Sequence, residues 1–167
     1  MNEALLDAFR HNSWATKQLL VACRSLSQEQ LTSSAPGGFG NILDTFNHII
    51  LSDASYLRRL SDNASTWLLD REKSADLTQL EGRVAETERM WEQFLSEPIN
   101  AERVLILDEG TYEAHAGVLI AQALHHGNAH REQICAILTS FGVEPPDVQA
   151  WAYAEATGRG RERSAGH

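Results

Sequence analysis

The stretch ALHHGNAHREQ at 123–133 sets His125, His126 and His130 within six positions of a chain that has 7 histidines. Imidazoles this close can share a divalent cation, or they can be ordinary polar residues hydrogen-bonded to hydroxyls and water. At about 100° per residue on a helix, Leu119, Ile120, Ala123, Leu124, Ile134, Ile137, Leu138 and Phe141 form one apolar sector. His126 and His130 fall inside it, whereas His125 points the other way with Ala129, Glu132 and Ala136. Four-residue spacing brings the inward pair within about 6 Å at the Cβ atoms, close enough for one ion. On a core-facing stripe two imidazoles must find partners for their ring nitrogens, and a metal satisfies two of these while keeping the rings from protonating side by side. Spacing alone leaves both readings open.

Two imidazoles do not hold a zinc-like ion tightly, so a third ligand must come from elsewhere. His11, His48, His115, Asp44 and Asp53 are the candidates. His48 lies beside Asp44, Ser52 and Ser55, away from the apolar centre of its segment, so periodicity predicts a solvated ring unless that side borders a pocket. Asp53 falls on the apolar face, where a salt bridge is the expected partner and a hydrogen bond to a ligating imidazole the alternative. His11, off the apolar face, and His115, near a turn, are expected at the surface. Ferritin-like di-iron chemistry needs Glu-x-x-His on two helices, and the chain has none. No Ser-His-Asp or catalytic cysteine arrangement competes, and Cys23 and Cys135 sit among apolar neighbours as packed thiols would. Trp14, Trp91, Trp151 and Tyr153 read as core or contact residues, with a pocket wall as the alternative role.

The elements that must position these residues are helical. Leu5, Leu6, Phe9, Thr16, Leu19, Leu20 and Cys23 predict a helix from 2 to about 26, and SAPGGFG at 34–40 predicts an irregular loop. A second helix is expected over 41–61, followed by a polar connection at 62–75 with an apolar knot at Trp67-Leu68-Leu69. A third runs over 76–97 and is stopped by Pro98. RVLILDEGTYEAHA predicts a small hairpin, and a long helix from about 117 to 141 ends at Gly142. Pro145-Pro146-Asp147 then starts a short helix. An all-α four-helix bundle over 1–157 is the predicted architecture, with a flexible tail at 158–167.

Bulk properties narrow the function. The 167 residues are 43% hydrophobic and 22% charged, with no apolar run near the roughly 20 residues a membrane span needs. A net charge of −9 disfavours nucleic acid, and the one basic cluster, RGRER, lies in the tail. The acidic, amphipathic amino terminus argues against a signal peptide, and 2 cysteines are too few for a disulfide framework, so a reduced cytoplasmic protein is expected. Amphipathic bundles of this size often pair, so a homodimer is expected.

Three stretches resemble the DinB/YfiT-like superfamily of metalloenzymes. HNSWATKQLL at 11–20 is similar to its first-helix signature, NILDTFNHIILSDASYLRRL at 41–60 to its second, and HGNAHREQI at 126–134 to its final-helix motif. The ending VQAWAYAEATGR also resembles one branch, whereas 62–115 matches only in helix pattern. Two departures stand out: His11 where an aromatic is usual, and Ala129 where a second histidine often precedes the final ligand. The resemblance implies a four-helix bundle in which His48, His126 and His130 bind a divalent metal, against the periodicity reading of His48. It also implies, as in some members, transfer chemistry in which a low-molecular-weight thiol such as bacillithiol, mycothiol or glutathione attacks a small-molecule substrate. An open three-histidine site suits such a transferase or an isomerase, and zinc or nickel suits its nitrogen ligands. A metal-dependent hydrolase and a non-catalytic metal-binding protein are the alternatives.

Overall fold

A computed structural model describes residues 3–34, 39–61, 63–69 and 75–161. Four long helices, α1 (Glu3–Cys23), α3 (Ile42–Ser61), α4 (Leu77–Ser96) and α5 (Ala116–Ser140), carry the fold. Short helices α2 (Gln28–Thr32) and α6 (Ala150–Ala156) and a hairpin of β1 (Val104–Leu107) with β2 (Tyr112–His115) complete it. Packing of α1 on α4 and α5, and of α3 on α4 and α5, closes the long helices into the all-α bundle that the apolar spacing predicts. The hairpin is antiparallel, with Leu105 opposite Ala114. Its tip holds Asp108 and Glu109 at φ 49° and 58°, a left-handed conformation costly for residues with a Cβ. No described helix is long and apolar enough to cross a membrane.

Local signals explain most boundaries. Asp76 and Gln79 form a capping box that starts α4. At the end of α5, Gly142 adopts φ 73°, its N–H bonds Thr139 O at 3.0 Å and Val143 N–H bonds Leu138 O at 3.0 Å, a Schellman motif that satisfies the last carbonyls. The helix predicted from 2 to about 26 stops earlier, at Cys23, because Ser27 and Gln30 form a second capping box and open α2. The short helix after Pro145-Pro146 begins at Ala150 rather than at the prolines. Of the predicted loop at 34–40, residues 35–38 lie outside the described residues, as do 70–74 of the connection and 162–167 of the tail. Trp67-Leu68-Leu69 forms a 3₁₀ turn, and Leu68 is buried.

The core has two apolar clusters. One gathers Leu19, Leu20, Phe46, Leu80, Ile134 and Leu138; the other gathers Phe9, Leu57, Trp91, Leu95, Leu119 and Ile120. Burying each such side chain contributes about 1.5–3 kcal/mol. Between them runs a polar belt of buried Asn12, Ser13 and Thr16 on α1, Thr87 on α4 and Arg131 on α5, with Asp53 of α3 beside it. A Cβ on Gly127 would lie 2.6 Å from Asn12 Oδ1 and 2.9 Å from Arg131 Nη1, so a glycine is what lets α5 approach α1 here. Along the opposite side of α1, Arg10–Glu92 at 2.6 Å, Lys17–Glu88 and Arg24–Glu81 tie α1 to α4 at every second turn. Each exposed pair contributes little, and together they favour one antiparallel register.

Candidate metal centre

His48 leaves α3 and His126 and His130 leave α5 toward the groove between these neighbouring helices. One ligating atom from each ring lies within 4.8 Å of the others, and the facing Nε2 atoms of His48 and His126 are 2.9 Å apart. Ring centroids are separated by 4.7, 4.7 and 4.5 Å. Neighbouring nitrogens around a first-row divalent ion, bound at about 2.1 Å, are roughly 3.0–3.4 Å apart, which this spread brackets. The donor set therefore fits a divalent metal ion.

Periodicity placed His48 in solvent, and here the structure differs: the ring is half-buried, with Phe39 stacked on it at 3.8 Å. The polar side of α3 borders a cleft, a distinction that a helical wheel does not make. His126 and His130 are also half-buried at the groove, while Gly127 and Arg131 hold the fully buried positions. His125 is exposed, as its position on the wheel predicts.

The other sequence candidates lie elsewhere. Exposed Asp44 accepts from Asn41 Nδ2 at the start of α3. His115 is exposed and pairs with Glu102 at 3.0 Å. His11, expected at the surface, is half-buried: its Nε2 meets Val148 O at 2.8 Å and its ring packs with Trp14 and Tyr153 of α6. Asp53 forms neither the expected salt bridge nor a bond to a histidine among the described residues; its Oδ1 is sealed from solvent without a hydrogen bond of normal geometry. The Trp91 N–H and the Arg131 guanidinium favour its ionised form, but burial outweighs both and pushes Asp53 up to about 7.

Electrostatics favour neutral rings at His126 and His48. Burial pushes His126 down to about 4, with the neighbouring His130, His48 and His125 adding to the effect, and burial and His130 lower His48. Neutral imidazoles are the form that donates a lone pair to a metal. His130 Nδ1 lies 2.8 Å from Gln133 Oε1, and in the tautomer in which Nδ1 donates to this oxygen, Nε2 keeps the lone pair for a metal. Replacing Gln133 with Leu should weaken metal binding about 10–100-fold, the effect typical of such outer partners, while Gln133→Glu retains it; titration against a chelator checks both. Gln133 was legible only as the third residue after His130.

A cleft of about 610 Å³ opens beside the cluster, lined in part by Ser52, Tyr56, Arg59, Asp108, Tyr112 and Leu119. Tyr56 connects the two, its ring edge-on to His126 at 5.8 Å. The cleft aromatics are thus Tyr56 and Tyr112, whereas Trp91 is core, Trp151 is 80% exposed and Tyr153 packs on Trp14. Cys23 is buried and Cys135 partly so, both unpaired; burial pushes Cys23 up to about 12 and raises Cys135, the opposite of a nucleophilic thiol.

No curated protein matches the chain. A model of the DinB family does match, over residues 1–164. The stretches that carry the sequence resemblance fall on α1, α3 and α5, the helices that meet at the polar belt and the histidine cluster, and the chain belongs to the DinB family.

Proposed function

We propose that His48, His126 and His130 hold one divalent ion, zinc or nickel, and that the protein is a thiol-dependent S-transferase or isomerase acting on a small electrophile. The observation that carries this reading is the convergence of three imidazole nitrogens within 4.8 Å, next to a cleft that shares Tyr56 with them. Three protein ligands leave coordination positions open, the pattern of a catalytic rather than a closed structural site. When bound, the ion would lower the pKa of a thiol or water brought to it. The residues around it set the conditions: His48 and His126 resist protonation, Gln133 orients His130, and Phe39 shields one face of His48. Both cysteines are held as neutral thiols by burial, so the attacking sulfur has to enter from solution. The homodimer belongs to the same proposal.

The test is turnover of a panel of electrophiles by protein of known metal content, with and without added bacillithiol, mycothiol or glutathione. Turnover that requires both metal and thiol is the expected result. Metal-dependent turnover of activated esters without thiol would replace it with a hydrolase, and no metal-dependent turnover would leave a metal-binding protein without catalysis.

A further inference from the structure

His48, Ser52, Ser55, Tyr56 and Arg59 follow one another at intervals of three or four residues or fewer, so they share a stripe of α3. His48 stands at its head in the histidine cluster, and the other four line the cleft. Arg59 is half-buried, and its Nη1 donates to Ser55 O at 3.1 Å, which turns the guanidinium back toward the cluster. No carboxylate pairs with Arg59 among the described residues. A half-buried guanidinium with donors left over is a ready anion receptor, because its fork matches a carboxylate. Ser55 lies seven residues beyond His48, or roughly 10 Å along the helix at 1.5 Å per residue.

We infer that Arg59 forms a carboxylate subsite: the ligand meets the three histidines with one end and places a carboxylate about 10 Å away, at the far end of the cleft. This rests on the metal-centre reading given above. One guanidinium, with exposed Asp108 at the cleft's rim, suits a monoanion better than a doubly charged phosphate. Asp108, held at φ 49°, lines the cleft with Leu107 and Tyr112 of the hairpin, so a strained residue contributes to the wall that faces α3.

The experiment titrates zinc-loaded and metal-free protein with ω-mercaptoalkanoates of increasing chain length and with the matched ω-mercaptoalkanols. The carboxylates are expected to bind at least about tenfold more tightly than the alcohols, the advantage peaking where sulfur and carboxylate are roughly 10 Å apart. Arg59→Gln should abolish that advantage while leaving zinc affinity and alcohol binding unchanged. Equal affinities for acid and alcohol at every length, or a preference that survives in Arg59→Gln, overturns the subsite. If zinc is not retained, the metal-centre reading fails by itself, and the acid-to-alcohol ratio on the metal-free chain still decides for or against Arg59. An equal preference for alkyl phosphates over alcohols would overturn the assignment to carboxylate.

Discussion

Alanine at His126 should lower the affinity of the protein for a divalent ion on the order of a thousandfold, because two imidazoles remain where three converged. It should also make the metal-free fold less sensitive to acid. The folded-state pKa of His126 is depressed to about 4, so the unfolded chain takes up this proton from about pH 6.5 downward while the folded chain resists it until near pH 4. Stability from the neutral ring is thus present above pH 6.5 and is lost as the pH falls through that window. The ring is half-exposed, and solvent screening holds the effect to about 1 kcal/mol. Zinc at a thousand times its Kd should stabilise the wild type by about 4 kcal/mol and leave the variant almost unmoved. Elemental analysis and urea unfolding at pH 7 and 5, with and without zinc, check these expectations. Stoichiometric metal retained by His126→Ala and by His130→Ala would remove the proposed centre.

The difference between what was legible in the sequence and what was not follows from how each residue is held. Ile42, Phe46, Ile49, Ile50, Leu57 and Leu60 repeat with the helical period and are buried, so α3 could be read from apolar spacing alone. The Ser27-x-x-Gln30 signature is equally local, but the apolar pattern carries the predicted first helix to about 26, past its end at Cys23, and leaves α2 unread. His126 and His130 share a helix, so geometry within that helix pairs them. His48 joins them from 78 residues away, across a groove that exists only once α3 and α5 pack, and family resemblance rather than periodicity supplied it. Arg59 escaped notice for the same reason: a basic residue on a polar stripe reads as solvated until the hairpin covers that stripe. Arg131 is the extreme case. A helical wheel assigns charges to solvent, and nothing near Arg131 in sequence announces that Asn12 and Thr16, more than 100 residues earlier, will bury it.

Removing that guanidinium should cost the fold about 3–5 kcal/mol, more than any other single polar substitution in the belt. Arg131 is 2% exposed; Nη1 donates to Asn12 Oδ1 at 2.7 Å, Asn12 O at 3.2 Å and Thr16 Oγ1 at 3.2 Å, and Nη2 donates to Asn128 Oδ1 at 2.7 Å. Burial lowers its pKa to about 10, so it stays charged at neutral pH, and Asp53 is the first of the negative groups that support that charge. The Asp53 pKa is raised to about 7, so the folded chain keeps this proton when the unfolded chain has already lost it. Its contribution is therefore fully favourable below about pH 4 and is lost as the pH rises through 7. Asp53→Asn, which cannot titrate, should gain about 2 kcal/mol on the wild type between pH 5 and 8. Arg131→Met should be more damaging at pH 8, where it leaves the Asp53 carboxylate buried alone, than at pH 5, where the carboxyl is protonated. The double variant should recover about 1–3 kcal/mol of that loss, a coupling expected of two charges in one buried cluster. Urea unfolding of all four proteins at both pH values measures the cycle; parallel pH profiles for wild type and Asp53→Asn would show that the carboxyl is not held in its neutral form. Because Arg131 follows His130 directly and pins α5 to α1, the same variants separate the stability of the belt from the assembly of the histidines. A Met variant that is destabilised yet binds zinc with wild-type affinity would place the positioning of His126 and His130 in the α3–α5 groove and not in the belt behind it.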